Sequence, residues 1–584
     1  MLQVAVCAAD VERFDPPTGR TKSTLTLHDG ARFAAGRNGT GLVLPGNSYA
    51  EWSPGKALST QAGTLTMWVS PLWSSAERSH TFLSFRWSGN RQSYFALSQG
   101  WWEPGGERKL YGVLSNQDFA FCLMPWKADY TLYLPNQWTQ LGVTWQAGNP
   151  GVLRLYVDGK CICERRRPFA GDAQSTAPLF LGADRGTTDQ RGRAADFIID
   201  DLTTLPYAVS NEQMWTQYRQ AGGDDRSKWL LAITSAGRPR APATENRVMV
   251  DEGDHWSRST TEMRRTIDRL STAGFNIYVP CIWDGGRALF PTDKARFAAW
   301  IRNVARPEDD PLQAMIAYAH QRGIQVHPWF IVAGRPAGDY PAEFIDGAPT
   351  GAFNVQSESF RRFIADVIVD VAKRYDVDGI NLDYIRSVAV CTSKQCAQDY
   401  RAEFGRSLEA DWQLQQTGQV VPSLVQWNRR AVTDIVRRIA GGVREARPGI
   451  PISIDSVPFD HSRMHQGVDD AGWLRDKLID GILYMSYDDP MDIEGVSHAV
   501  SELGGEHLVI LARNYDPFDS RIVDRSGALI ADYVELKRTL WPASGIGFYH
   551  YPHFTNDQAS TLRARVFRDT AEVAWPARDT LSRR

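Results

Sequence analysis

No stretch of this 584-residue chain approaches the run of about 18 apolar residues that a membrane-crossing helix needs, and the mean hydropathy is −0.36. Neither sign of charge dominates: Lys plus Arg is 65 and Asp plus Glu is 68, for a net charge of −3. The chain therefore exerts no bulk electrostatic pull on phosphate backbones, and wholesale nucleic-acid binding is not expected. Cysteine is scarce and odd in number, at seven, and its spacing does not make a zinc ribbon. Cys391 and Cys396 flank a short polar stretch and either close a loop disulfide in an oxidising compartment or stay as free thiols. The opening residues, Met1 to Asp10, lack the basic start and the length of a signal peptide. The expectation is an extracellular or periplasmic protein whose signal has been removed, with a cytoplasmic protein as the alternative.

Aromatic residues are abundant, at 11% of the chain, and Trp contributes 20 of them. Indole rings either fill the cores of large domains or stack on pyranose faces in a sugar-binding cleft. Both readings stand at this level.

The organisation changes near residue 220. From about 25 to 205 the pattern is short alternating runs between turn residues, as in Gly63 to Ser70, Trp138 to Trp145, Leu153 to Val157 and Phe197 to Leu202, with Asp158-Gly159 as a hairpin turn. Many strands and almost no helical pattern predict an antiparallel β-sandwich over residues 1–220. Residues 221–228 form a Gly- and charge-rich joint. Beyond it, over 229–584, strands alternate with helical spacing. The strands are Arg247 to Val250, Asn276 to Val279, Ile324 to His327, Asp378 to Asp383, Ile452 to Asp455, Gly481 to Asp488, His507 to Arg513 and Gly545 to Tyr551. Eight strand–helix units predict a (β/α)8 TIM barrel.

Barrel enzymes carry their chemistry at the carboxyl ends of the strands, on residues that point inward, and period-two alternation identifies those residues. Asn381 and Asp383 are inward in the fourth strand, His327 at the end of the third, and Ser453 and Asp455 in the fifth, while the sixth ends in Tyr487-Asp488 and the eighth in Tyr549-His550. Asp378, before Gly379 at a strand entrance, reads as a turn or cap residue. Asp383, an inward carboxylate followed by Tyr384 and Arg386, is costly to bury without a role. Asp455 and Asp488 are its candidate partners, and Glu252, Asp254 and Asp284 are reserves at other strand ends. Paired carboxylates in a Trp-rich cleft suit glycosidic bond cleavage, where one acid protonates the leaving oxygen and a second negative group attacks, activates water or stabilises the oxocarbenium-like state. No Gly-x-Ser-x-Gly elbow, P-loop or dinucleotide fingerprint competes with that reading in the barrel, and no metal and no cofactor is expected there.

The first half resembles the laminin-G-like, concanavalin-type jelly-roll domains, on the arrangement of Trp68, the 138–145 run, the 153–159 hairpin, the 197–202 run and a closing helix near 210–220. The resemblance implies glycan binding or a purely structural module. Some such domains carry calcium, so Asp200 and Asp201 either hold an ion or only tie off an edge strand, the second reading being preferred. The barrel resembles the glycosyl-hydrolase-like family ten on Phe275-Asn-Ile-Tyr-Val279, Gly286-Arg-Ala-Leu-Phe-Pro291, the segment Asp310 to Phe330, Tyr375 to Arg386, and Trp473 to Tyr487. Members resemble glycosidases, and some cleave peptide-stripped peptidoglycan strands. The resemblance implies Asp383 as catalytic, with Arg386 and His327 as neighbours. A fainter likeness to family 18 chitinases rests on Asp378, Asn381, Asp383 and Met485-Ser-Tyr-Asp488, but Ile385 stands where those enzymes have their acid Glu. Trp283-Asp284, Ser387 and Asp488 depart from the family-ten pattern.

The resulting expectation is a glycoside hydrolase that cleaves a polysaccharide or oligosaccharide, within the chain rather than at its ends. Asp383 acts with Asp455 or Asp488, and His327, Trp329, Arg386, Tyr487, Trp283, Asp284 and His550 contact the sugar. The rivals are a substrate-assisted hydrolase of N-acetylhexosamine chains and a carbohydrate-binding protein without catalysis.

Overall fold

A computed structural model describes residues 10–12, 24–53, 59–73, 80–86, 94–101, 108–115, 120–123, 137–171, 179–183, 195–224, 241–303, 309–459, 461–487, 491–517 and 522–575. Contacts gather these residues into two units, one within Met1–Trp229 together with Pro517–Val523 and one within Leu230–Asp516 together with Asp524–Arg584. The joint expected at 221–228 falls partly on 225–228, outside the described residues.

In the first unit, alternation builds two antiparallel sheets. One runs Lys160–Phe169, Gly148–Val157, Thr139–Gln146, Ala62–Pro71, Phe197–Leu205, Thr40–Leu44, Arg32–Ala35, with Asp10–Glu12 against Phe197–Leu205. The other runs Ala120–Leu123, Arg108–Ser115, Tyr94–Trp101, His80–Arg86, Leu179–Leu181, Tyr49–Ser53, Thr24–His28. Leu65, Met67, Trp145 and Leu155 from the first sheet share one core with Trp52, Leu83, Phe85 and Phe95 from the second, as in a concanavalin-like sandwich. Asp158 and Gly159 take φ of 48° and 76°, the left-handed pair that a two-residue hairpin needs. Helix α1 (Asn211–Gln220) opens on a reciprocal cap between Ser210 and Gln213 and buries Met214, Trp215 and Tyr218.

Asp200 accepts the backbone amides of Arg37 and Asn38 on Oδ2, at 2.7 and 2.9 Å, and that of Asp201 on Oδ1, at 2.8 Å. Asp201 Oδ2 accepts the Asn38 side chain at 2.6 Å. Both oxygens of Asp200 are thus committed to amides. The pair ties the irregular middle of the Phe197–Leu205 strand to the turn at Arg37 and Asn38.

In the second unit eight parallel strands close into a barrel: β1 (Arg247–Asp251), β2 (Ile277–Trp283), β3 (Gln325–Val326 and Trp329–Ile331), β4 (Ile380–Asp383), β5 (Ile452–Ser456), β6 (Gly481–Ser486), β7 (Leu508–Arg513) and β8 (Gly545–Tyr549). The last pairs with the first, Met249 facing Phe548. Helices α2 (Thr260–Ala273), α3 (Pro311–Gln321), α4 (Glu358–Arg374), α5 (Pro422–Ala446), α6 (Asp470–Arg475), α7 (Ile493–Leu503), α8 (Gly527–Leu540) and α9 (Asn556–Arg565) follow the strands in turn. Ser259, Ser357 and Ser526 cap α2, α4 and α8, and Asp310 with Pro311 starts α3. Val250, Val279, Cys281, Leu483, Val509 and Leu511 fill the interior.

The third strand corrects the sequence reading. It does not end at His327: Pro328, which has no N–H, interrupts the ladder, and pairing resumes from Trp329 to Ile331. His327 therefore lies well below the mouth. It is fully buried beside Trp575, at 6.4 Å between rings, with Nε2 3.1 Å from the Gln325 amide oxygen. A Cβ on Gly379 would come within 2.5 Å of the His327 ring, which explains the glycine after Asp378. Asp378 itself accepts the Val326 amide and the His320 ring, both at 2.8 Å, in the cap role expected of it.

The amino end of β1 is held by a buried ionic cluster. Glu245 receives Arg247 Nε at 2.9 Å, Lys537 Nζ at 2.9 Å and Arg538 Nη2 at 2.6 Å, with all four side chains buried. Burial alone would raise the Glu245 pKa, but the hydrogen bond from Arg538 and the charges of Lys537, Arg538 and Arg247 hold it down to about 2. The cluster fastens α8 to the start of β1. Replacing Glu245 by Gln strands three cations, so Glu245→Gln is expected to cost roughly 3–5 kcal/mol of unfolding free energy. A urea titration with unchanged slope checks this, and a loss below about 1 kcal/mol would show that the cluster does not hold the barrel.

Candidate active site

A cleft of about 470 Å³ opens among the carboxyl ends of the strands and contains four carboxylates, Glu252, Asp284, Asp383 and Asp455, with four arginines, Arg335, Arg386, Arg463 and Arg513. Two of the carboxylates sit on neighbouring strands. Asp383 ends β4 and Asp455 lies in β5, and Asn381, two residues before Asp383 on the same face, donates to Asp455 Oδ1 at 2.9 Å and to Ser453 Oγ at 3.1 Å. The alternation that predicted Asn381, Asp383, Ser453 and Asp455 as inward holds in both strands.

Both carboxyls are buried, Asp383 at 8% exposure and Asp455 at 4%. Burial raises the pKa of Asp383, its own Tyr384 amide (2.6 Å to Oδ1) and the charges of Arg386 and Arg463 pull against that, and Glu252 adds to the rise. Burial lifts Asp455 well above the ordinary carboxylate range, and the charge of Asp383 lifts it further, against the Asn381 amide and Arg463. Both carboxyls thus hold a proton more readily than an ordinary carboxylate does, and the amide and arginines around Asp383 are the groups that favour its charged form. Tyr384 takes a left-handed φ of 50°, which delivers its amide to the carboxylate. A non-glycine residue in that region stores roughly 1 kcal/mol or more of strain, as functional sites often do.

The remaining candidates divide. Trp329, Arg386, Tyr487 and Asp284 line the cleft. Tyr487 stacks on Tyr549 at 5.2 Å, and burial raises its hydroxyl pKa, with Asp455 and Asp383 adding to the effect. Asp284 is tied at the rim: Oδ1 accepts the Gly286 and Arg287 amides and Oδ2 pairs with Arg287 Nε at 2.7 Å. Trp283 does not reach the cleft. A register irregularity between Cys281 and Trp283 breaks the alternation of β2, and the indole packs edge-on to Phe363 of α4 at 5.9 Å. His327 is excluded by the extension of β3. His550, one step of alternation beyond inward Tyr549, stacks behind that ring at 4.6 Å, outside the cleft lining. Burial pushes its pKa down to about 4, with His553 and Arg513 adding to the shift. Asp488 lies outside the described residues. Of the reserves, Glu252 is in the cleft and accepts the Tyr549 hydroxyl at 2.5 Å, whereas Asp254 pairs with Arg258 away from it.

Sequence reading missed Arg335, Arg463, Arg513 and Tyr515, all in the lining. Arg513 could have been found, because it continues the inward set Val509 and Leu511 of β7. The others lie outside the barrel strands, Arg335 in a loop, Arg463 in the short helix His461–His465 and Tyr515 in the short strand Tyr515–Pro517, where the barrel's periodicity does not mark direction. Of the two readings of tryptophan, core filling accounts for most of those among the described residues. Trp52, Trp145, Trp256, Trp283 and Trp473 are core residues, and the cleft is walled mainly by Tyr384, Tyr487, Tyr515 and Tyr549 with Trp329.

Because the charge of Asp383 contributes to the high pKa of Asp455, Asp383→Asn is expected to lower the Asp455 pKa. Carbon-13 carboxyl titration by NMR reads this directly. An unmoved Asp455 titration would show that the two do not share a field.

Residues 246–340 and 353–500 match the Glycosyl hydrolase-like 10 family, and residues 44–214 match the Concanavalin A-like lectin/glucanases superfamily. The chain is similar to glycosyl hydrolase DigH of Escherichia coli (strain K12), at 22% identity over 288 residues, which cover 44% of this chain and 61% of DigH. It is also similar to glycosyl hydrolase YngK of Bacillus subtilis (strain 168), at 22% over 215 residues, covering 34% of this chain and 39% of YngK. The match thus spans about three fifths of the first relative's length and two fifths of the second's. Among solved structures, the PgaB (BpsB) glycoside hydrolase domain from Bordetella bronchiseptica aligns with a TM-score of 0.41 and 14% identity, covering 55% of this chain and 99% of that one. By these matches the barrel carries the signature of the glycosyl hydrolase-like 10 family, and the sandwich that of the concanavalin A-like lectin/glucanases superfamily.

Proposed function

We propose that the barrel hydrolyses glycosidic bonds within a polysaccharide chain, with Asp455 as the proton-bearing acid and Asp383 as the ionised partner. The observation that carries this reading is the pair itself: two buried carboxyls on neighbouring strand ends, facing one cleft, with the charge of one raising the pKa of the other. Glycosidic cleavage needs that asymmetry, because one carboxyl gives its proton to the leaving oxygen while a negative group attacks, activates water or stabilises the oxocarbenium-like state. Trp329 and Tyr487 offer ring faces to the sugar, and Arg386 flanks Asp383. The sandwich is proposed as a glycan-binding module that keeps a long chain near the cleft. A compartment outside the cytoplasm, extracellular or periplasmic, is supported by the Cys391–Cys396 disulfide.

A second reading uses the same groups. On an N-acetylhexosamine chain, Asp383 and Tyr487 would orient the acetamido group as it attacks, and Asp455 would protonate the leaving oxygen. Tyr487, buried beside both carboxyls, favours it, and buried Ile385 removes the glutamate that chitinases use as acid. Cleavage of acetylated chains with none of their deacetylated forms would select it. Glycan binding without cleavage by any preparation would select the binding-protein reading.

Reducing-end release from a polysaccharide panel tests the proposal. Asp383→Asn and Asp455→Asn are each expected to lower kcat by about 10²–10⁴-fold. Activity needs Asp455 protonated, so it is present below its raised pKa and is lost as pH rises through it. The alkaline limb of the pH–rate profile should thus lie above the usual carboxylate range, and it should vanish in whatever activity Asp455→Asn retains. Full activity in either variant would sink the assignment.

A further inference from the structure

The cleft holds more positive charge than the proposed chemistry uses. Arg463 lies within the field of the pair and lowers the pKa of both Asp383 and Asp455. Asp284 is already neutralised by Arg287. That leaves Arg335, Arg386 and Arg513 on the walls, and among the described residues none of these three makes an ion pair with a carboxylate. Arg335 donates Nε to the Ala352 carbonyl at 2.7 Å and packs on Tyr340, and Arg386 packs on Tyr384 with 4.4 Å to the ring centre. Against them stands Glu252, whose carboxylate accepts the Tyr549 hydroxyl.

Arg513 is the most constrained of the three. It ends β7, and its guanidinium lies 5.0 Å from the Tyr487 ring centre and 5.2 Å from that of Tyr515. Its Nε is buried and has no hydrogen-bond partner. Ring contacts hold the cation through its flat face and do nothing for the N–H donors at its edge. A half-buried guanidinium with an unmet donor calls for an acceptor in its own plane, and the matched acceptor is a carboxylate. Tyr487 joins the two functions, since it packs on Arg513 and also faces Asp383 and Asp455. A neutral sugar would leave the buried Arg513 Nε donor unmet, which is unfavourable.

Resting on the hydrolase reading above, we propose that the glycan cleaved here carries carboxylate groups, and that Arg513 binds one of them on a sugar next to the scissile bond. Arg386 and Arg335 extend the positive wall toward carboxylates further along the chain. Arg513 is a specificity-determining residue in this account and takes no part in proton transfer.

The test compares acidic polysaccharides (polygalacturonate, hyaluronan and peptide-free peptidoglycan strands) with the same chains after chemical reduction of their carboxyls to alcohols. The substrate cleaved by the wild type is expected to lose 10- to 100-fold in kcat/KM on carboxyl reduction. Arg513→Gln should lose a similar factor on the acidic form and little on the reduced form, so that the two changes do not add. Arg335→Gln, away from the Tyr487–Tyr515 stack, should show the same pattern more weakly if Arg513→Gln does not fold. Equal cleavage of the acidic and reduced chains overturns the proposal, as does an equal loss on both in the variants. Calorimetric binding to Asp383→Asn separates this from the hydrolase reading. If no chain is cleaved, the hydrolase reading fails, while a Kd weakened at least tenfold by carboxyl reduction and by Arg513→Gln still sustains the anion site. Binding indifferent to both changes, or no binding to any acidic chain, overturns it.

Discussion

Two carboxyl groups that cannot both ionise cheaply govern the mouth of this barrel. Asp383 and Asp455 are buried together, and the charge of the first raises the proton affinity of the second. The neighbouring groups act on that balance. Asn381 fixes Asp455 by a hydrogen bond, the strained turn at Tyr384 supplies an amide to Asp383, and Arg463 and Arg386 favour the ionised form. An acid and a base of the same chemical type, distinguished only by environment, are what hydrolysis of an acetal requires.

Such a pair can be held only by a frame that does not yield, and the frame lies at the opposite end of the barrel. His327 and Trp575 fill the lower interior, where Gly379 gives the imidazole room, and burial pushes the His327 pKa down to about 4. The Glu245 cluster fastens α8 to the start of β1. Polar groups are therefore buried at both ends for different reasons. Those below are tied together by ion pairs, whereas the carboxyls above have raised proton affinities, a common mark of a functional site.

The walls of the cleft refine what such a site receives. Tryptophan, abundant in the sequence, is spent on cores, and tyrosine rings take its place in the mouth. Tyrosine offers a ring face and a hydroxyl together. Tyr549 uses its hydroxyl on Glu252, while Tyr487 and Tyr515 use their faces on Arg513. Aromatic content alone left core filling and stacking on sugar both open. In the cleft two of these rings hold the Arg513 cation.

The sequence by itself determined the two-part architecture, the closed parallel barrel and the inward direction of Asn381, Asp383, Ser453 and Asp455, because period-two alternation in an unbroken strand is a local property. The same rule failed wherever the strand was not regular. The irregularity after Cys281 turned Trp283 outward, and Pro328 let β3 continue beyond His327. Nor could alternation within the barrel strands reach Arg335, in a loop, Arg463, in the short helix His461–His465, or Tyr515, in the short strand Tyr515–Pro517. The raised proton affinity of the two aspartates was decided by tertiary structure alone. It depends on burial and on charges that are distant in sequence and meet only when β4 and β5 lie side by side.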